Sequence, residues 1–172
     1  MLSKHELRDQ LLISRMARSQ VQIDIACSSI NVALLSILNS TTPNTLHYFE
    51  PIISMHEVNI LSTISYLSVN YPKIAMVTTR KLGGLWRTIQ THGISAFELS
   101  EYDTVIVPML GFDSLLHRIG YGSGFYDRLL SQQVKAQSIG VCFEAEHVQI
   151  IPAQAHDIPL DCIITEKMVR FG

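Results

Sequence analysis

The stretch Asp103–Arg128, DTVIVPMLGFDSLLHRIGYGSGFYDR, constrains the fold of this chain more than any other. Its opening, Asp103 to Val107, is a β-branched apolar run of the kind that fills a strand buried on both faces. Pro108 is expected to stop it. A loop with Asp113 and His117 follows, and Arg118 then opens a turn in which Ile119, Tyr121 and Ser123 alternate with Gly120, Gly122 and Gly124. Phe125 to Leu130 reads as the early turns of a helix spanning about Gly122 to Gln133. A strand, a glycine loop and a helix start are the parts of an anion site. Glycines let backbone N–H groups approach a phosphate, and the helix N-terminus adds partial positive charge.

Two familiar glycine loops are excluded. A P-loop needs a lysine after its last glycine, and none follows here; the dinucleotide fingerprint needs a third glycine where Phe125 stands. Spaced glycines alone fit an ordinary flexible loop. Arg118 before them and Tyr126-Asp127-Arg128 after them point instead to a nucleotide phosphate with its metal.

Around this centre, helical and strand-like stretches alternate. Ser3 with Glu6 is a capping-box pattern, so a helix should begin at once, with Leu7 and Leu11 on its apolar face. Lys4 and Arg8 lie one turn apart on it, and Arg15 falls two turns beyond Arg8 on a similar face; a basic stripe of this kind is ordinarily solvated. Ser19 to about Leu38 has the spacing of a core helix, and Asn39–Asn44 has turn chemistry. Thr45–Phe49 reads as a strand, and Pro51–Asn59 leads into a helix through about Val69, with Glu57 as a first-turn acid. Lys73–Thr78 is a short buried strand, and Gly83-Gly84 turns into Leu85–Gln90, which carries the only tryptophan, Trp86. Ala136–Phe143 and Asp161–Thr165 are further strands, with Met168–Phe171 a candidate for another. The order implies an α/β fold with a mostly parallel or mixed sheet covered on both faces. The site should then lie at the carboxyl ends of the strands, where Pro108 and the glycine loop emerge.

The 172 residues suit one domain, 1–172, and 47% hydrophobic against 16% charged residues excludes a disordered chain. A net charge of -2 gives no basic field, so nucleic acid is not the expected partner. Cys27, Cys142 and Cys162 are too few and too scattered for a metal-ligand pattern and fit reduced, buried thiols in cytoplasm. No eighteen-residue apolar stretch free of polar groups appears, so no membrane span is expected. Glu6 and Asp9 argue against reading the arginine- and serine-bearing start as a transit peptide.

Asp103–Arg128 resembles the signature of the 5-formyltetrahydrofolate cyclo-ligase (methenyltetrahydrofolate synthetase) family, roughly D-x-V-x-V-P-x-x-x-F-D, a short gap, then R-L-G-Y-G-G-G-Y-Y-D-R. Phe112-Asp113 and Arg118 through Arg128 match it nearly position for position, and the similarity continues through His156-Asp157 and Asp161–Glu166. At the amino end, Lys4-His5-Glu6-Leu7-Arg8 resembles the family's K-x-x-L-R. The resemblance implies a Rossmann-like three-layer α/β/α domain. It implies a C–N bond-forming ligase that cyclises 5-formyltetrahydrofolate, with or without a polyglutamate tail, to 5,10-methenyltetrahydrofolate with ATP and magnesium, releasing ADP and phosphate. Such a protein would act as a monomer or weak dimer.

By the same resemblance, Lys4, Arg8, Arg118, Ile119, Gly120, Tyr121, Gly122, Ser123, Gly124, Phe125 and Tyr126 would bind ATP, with Arg118 and Tyr121 at the point of transfer. Ile52, Glu57, Tyr121 and Trp86 would meet the folate, Glu57 through the ring N–H groups of its pterin. Asp127 and Asp157 would hold magnesium. Several positions depart from the pattern. Leu116 stands where the family has glycine, two residues before Arg118, and would be strained if its φ is positive; Ser123 replaces a glycine at little cost if its φ is negative. A proline near Val77–Thr79 is missing, and Asn59 replaces an acid. Two rivals remain on the sequence: a nucleotide- or folate-binding member that has lost or changed the ligase activity, and an enzyme of another class on the same layered fold, such as a sugar-phosphate isomerase.

Overall fold

The computed structural model describes residues 2–82, 85–92 and 101–172, with backbone alone for 81, 82 and 85–88. Ser3 starts α1 (Lys4–Met16): its hydroxyl accepts from the Glu6 N–H, and the Glu6 carboxylate accepts from the Ser3 N–H at 2.8 Å. Ser19 and Gln22 repeat the device at the head of α2 (Gln20–Thr41). This helix runs through the expected turn at Asn39 because nothing there breaks it. It ends only before Pro43, with Thr42 left-handed at φ 41.

By length and composition α2 could cross a membrane, with a mean hydropathy of 1.7. Here it lies on a sheet, burying the stripe Ile23, Ala26, Cys27, Ile30, Leu34 and Leu38. Such a stripe is what a core helix requires.

The strands are β1 (Thr45–Tyr48), β2 (Ala75–Leu82), β3 (Leu85–His92), β4 (Thr104–Pro108), β5 (Gly111–Phe112), β6 (Arg118–Ile119), β7 (Gln137–Val141), β8 (Cys162–Ile164) and β9 (Val169–Phe171). Seven of them form one sheet in the order β3-β2-β1-β4-β7-β8-β9, while β5 and β6 pair separately. The four inner pairings of the large sheet are parallel, and the outer strands β3 and β9 are antiparallel to their neighbours. Alternation along the strands sorts the core. Leu46, Tyr48, Ile106, Ile139 and Ile164 pack on α2 and on α3 (Leu61–Asn70), and Val105, Val107 and Ile163 pack toward Leu130 of α4 (Phe125–Gln132). This is the expected three-layer α/β arrangement. Leu7 and Leu11 of α1 join Leu110, Ile119 and Ile151 in a third cluster that brings α1 against the glycine loop.

Several local expectations change. Pro108 closes β4 as its last residue, paired with Val141, rather than standing outside it. Strand β2 runs past Thr78 because β3 pairs with it as far as Leu82 opposite Leu85; the expected turn residues Gly83 and Gly84 lie outside the described residues. The helix after the glycine loop starts at Phe125, not Gly122, because Gly122 (φ 93) and Gly124 (φ 64) hold a non-helical backbone. Glu57 does not open α3. A 3-10 turn over Ile53–Met55 and a left-handed His56 (φ 50) precede it, and the side chain of Asn59 receives the Leu61 N–H. Arg15 is not solvated. It is 1% exposed and paired with the fully buried Glu146.

Candidate active site

The site is built where β1 and β4 end, beside Thr79 and Arg80 within β2. The residues leaving these strands, together with the glycine loop and the first turns of α1 and α4, surround a cavity of about 680 Å³. That is within the range of small-molecule sites. Position follows from topology: parallel strands that share a carboxyl edge leave a crevice there, bounded by the loops they feed.

Arg118 is almost wholly enclosed in it, its side chain 6% exposed. Its Nη1 donates to the Ile158 carbonyl at 2.6 Å and its Nη2 to Asp127 Oδ1 at 2.5 Å. Burial pulls the guanidinium pKa down, opposed by the charges of Asp127 and Asp157; a guanidinium stays cationic under such opposing effects. Arg8 Nε donates to the Gly120 carbonyl at 2.8 Å, so α1 clamps the loop across 112 residues of sequence. Gly122 holds a φ of 93, which an L side chain rarely adopts, and a Cβ there would also crowd Arg8, 3.3 Å from its Cζ. Ser123 is not in the positive-φ region, so the serine adds no backbone strain, and Arg128 Nη1 donates to its carbonyl at 3.0 Å.

Lys4 pairs with Asp157 Oδ2, which also accepts the Gln154 N–H at 2.6 Å. Burial would raise the pKa of Asp157, but these two donors hold it below the usual carboxylate value. Glu57, 4% exposed, accepts the Ile52 N–H at 2.6 Å. Burial raises its pKa against that hydrogen bond and against nearby Tyr121 and Arg15. The Tyr121 phenol is pushed well up, by burial first and then by the charge of Glu57.

Every candidate named from the sequence except one lines this cavity: Lys4, Arg8, Ile52, Glu57, Arg118 through Asp127, and Asp157. The exception, Trp86, has its side chain outside the described residues. Phe49, Glu50, Thr79, Arg80 and Gln154 also line it and were not foreseen. Phe49 and Glu50 follow β1 directly, so the rule that sites form at strand carboxyl ends could have found them. Thr79 and Arg80 were hidden by ending β2 at Thr78.

Magnesium can be tested on the donor set. Among the described residues no three His, Cys, Asp or Glu side chains cluster as a self-sufficient metal cage. Asp127 engages protein donors through Oδ1; Asp157 hydrogen-bonds through Oδ2, with His156 Nε2 4.0 Å from its Oδ1, and both line the cavity beside the glycine loop. One or two carboxylates completed by phosphates and water are the usual protein contribution to magnesium, so the residues fit that ion when it arrives with a polyphosphate.

A mostly parallel sheet between helical layers, with a glycine loop, guanidinium groups and carboxylates gathered at its carboxyl edge, defines a layered α/β domain with an anion site in its crevice. The comparisons with known proteins make this specific. The chain belongs to the 5-formyltetrahydrofolate cyclo-ligase family, whose sequence profile matches residues 3–166. It is 28% identical over 172 residues to the 5-formyltetrahydrofolate cyclo-ligase of Mycoplasma pneumoniae, covering 96% of this chain and 100% of that one. The protein of the same name in Escherichia coli is 38% identical over 73 residues, 41% of this chain and 40% of its own. Among solved structures, the 5,10-methenyltetrahydrofolate synthetase of Mycoplasma pneumoniae superposes with a TM-score of 0.81 at 28% identity, over 96% of this chain and 99% of its own. That of Aquifex aeolicus does so with 0.77 at 26%, over 98% and 92%.

Proposed function

We propose that this chain cyclises 5-formyltetrahydrofolate to 5,10-methenyltetrahydrofolate at the expense of ATP, with residues 1–172 working as one catalytic unit in the cytoplasm. The observation that carries the reading is that Lys4, Arg8, Arg118, the glycine loop and Glu57, drawn from three separate parts of the sequence, line one cavity. Family membership over residues 3–166 supports it.

The chemistry needs a leaving group. The oxygen of a formamide departs poorly, so the formyl oxygen attacks the γ-phosphorus of ATP and the bond to ADP breaks. The neighbouring folate nitrogen then adds to the formyl carbon and loses its proton, and the C–O bond breaks to release inorganic phosphate. For such a transfer the protein mainly positions groups and stabilises charge. Arg118, Lys4 and Arg8 supply cations to the phosphates, and the backbone of Gly120–Gly124 approaches them at the head of α4. Tyr121, beside Glu57, stands between the phosphate groups and the folate. Glu57, held by the Ile52 N–H, offers its carboxylate to the pterin N–H groups, with Ile52 against the ring. Asp127 and Asp157 would hold magnesium, which neutralises phosphate charge as the transfer proceeds.

The test is an absorbance assay for the methenyl product from 5-formyltetrahydrofolate, with and without magnesium-ATP, alongside ADP release. Product formed only with nucleotide, one ADP per turnover, is expected. ATP and folate binding with no product would instead assign the chain as a binding member of the family that has lost turnover.

A further inference from the structure

His47 is fully buried near the end of β1, yet only one of its ring nitrogens has a partner: Nε2 lies 2.9 Å from Thr79 Oγ1, and Nδ1 has none. Its ring sits among Tyr102, Phe125 and Tyr126, and burial lowers its pKa to about 4, so it is neutral at neutral pH. A neutral imidazole carries one N–H, and where it sits fixes the hydrogen bond. Were it on Nδ1, a donor would be buried with no acceptor. On Nε2 it donates to Thr79, and only a lone pair at Nδ1 goes unmatched. Orphaned buried N–H groups are the rarer and costlier of the two arrangements. The proton is therefore on Nε2, and Thr79 Oγ1 is the acceptor.

That assignment frees the Thr79 hydroxyl proton. Thr79 is half-buried, lines the cavity, and has no acceptor for this proton among the described residues. From these contacts we infer that Thr79 is a hydrogen-bond donor to a carbonyl oxygen or ring nitrogen of the folate, with His47 as the positioning residue that turns its hydroxyl toward the ligand. The inference rests on the cyclo-ligase reading of the cavity.

The folate rather than the nucleotide is assigned on placement. Lys4, Arg8, Arg118 and the glycines reach the cavity from α1, β6 and the head of α4. Thr79 reaches it from β2, on the side that carries Phe49, Ile52 and Glu57 after β1. Among the described residues the one cation there, Arg80, is held by Glu50 through a pair of 2.7 Å bonds from its Nε. This side therefore offers apolar surface, one buried carboxylate and one directed hydroxyl, which suits a flat heterocycle rather than a polyphosphate.

The experiment is direct titration of 5-formyltetrahydrofolate, without turnover, into the full chain and its variants, with ATP titrated separately. Thr79→Val is expected to raise the folate Kd by about tenfold, the cost of one unpaired acceptor, and Thr79→Ser to stay within about threefold of the parent. The ATP Kd should be unchanged in both. His47→Leu should weaken folate binding in the parent but add nothing in a Thr79→Val background, whereas a purely structural role would weaken both equally. Equal folate affinity for Thr79→Val and the parent overturns the inference, as does weakening confined to ATP. If His47→Leu does not fold, the two Thr79 variants still decide it. Failure of the parent to bind folate at all would overturn the functional reading itself, a different result from loss confined to one variant.

Discussion

Leu116 shows what a single residue can tolerate when packing compensates for backbone. It stands where the family pattern has glycine, and its φ of 61 puts it in the left-handed region that an L side chain enters at a cost of about 1–2 kcal/mol. Against this, its side chain is 4% exposed and packs with Phe112, Leu130 and Leu160, and burying a leucine stabilises by about 1.5–3 kcal/mol. The second effect is the larger, and a glycine would also free the unfolded chain. Leu116→Gly should therefore destabilise the fold by about 1–2 kcal/mol despite relieving the strain, read as a lower midpoint in urea at unchanged slope. A rise in midpoint would show that strain dominates. His47 supports a pH prediction at the same scale. With its pKa lowered to about 4 in the fold and 6.5 when unfolded, the native state binds fewer protons between those values, so its stability rises with pH there. Its contribution is whole above pH 6.5 and falls away toward pH 4, by on the order of 3 kcal/mol in all. Urea titrations of the parent and His47→Leu at pH 7 and 4.5 should show the parent losing the more. The comparison cancels the opposite tendency of Glu57, whose pKa is raised. An equal loss in both proteins would mean His47 is not held neutral.

At the scale of elements, the two sides of the cavity come from different parts of the chain and should fail differently. Removing a guanidinium aimed at transferring phosphate typically costs about a hundredfold or more in kcat, so Arg118→Ala should lose turnover while folate affinity holds. Removing a charge-assisted acceptor costs about 1.5–3 kcal/mol, so Glu57→Ala should raise the folate Kd by about ten- to a hundredfold and leave ATP affinity alone. Steady-state kinetics paired with direct titration of each ligand separates the two patterns, and identical patterns would refute the division. The elements on the phosphate side were legible because each carries a local signal. Ser3 and Glu6 announce α1, the β-branched run announces β4, and glycines at alternate positions announce the loop. Other elements were less so. The ribbon of β5 and β6 has two residues per strand, too few for alternation to register. It is tied by Asp113, whose Oδ1 accepts the Leu115 and His117 N–H groups and whose Oδ2 accepts that of Ile151. The pairing of His47 with Thr79 joins two strands 32 positions apart and has no signature along either.

For the molecule as a whole, the question is what holds α1 against the rest, since Lys4 and Arg8 reach the cavity only if it stays there. Leu7 and Leu11 supply apolar contact, but the fixed point is Arg15, which donates from Nε to Glu146 Oε1 at 2.9 Å and from Nη2 to the Met109 carbonyl at 2.6 Å. Both charged side chains are almost wholly out of water, and Arg18 covers the Phe143 ring with its Cζ 4.5 Å from the ring centre. A sequence reading that treats Arg15 as part of a solvated stripe misses this, because its partner lies 131 positions away and no local pattern pairs them. Desolvating two charges roughly cancels their attraction, so the pair adds little net stability, but breaking it strands one charge in the interior. Glu146→Ala should therefore cost about 3–5 kcal/mol, and replacing both partners as Arg15→Met with Glu146→Leu should recover most of that. The recovered protein offers the sharper test. With stability restored, any remaining rise in the ATP Kd measures how far the ion pair sets the position of α1, and so of Lys4 and Arg8, over the glycine loop. If the double variant binds ATP as the parent does, apolar packing alone fixes α1. A residual loss, with folate affinity intact, is the expected result and would make a contact remote from the phosphates a determinant of their binding.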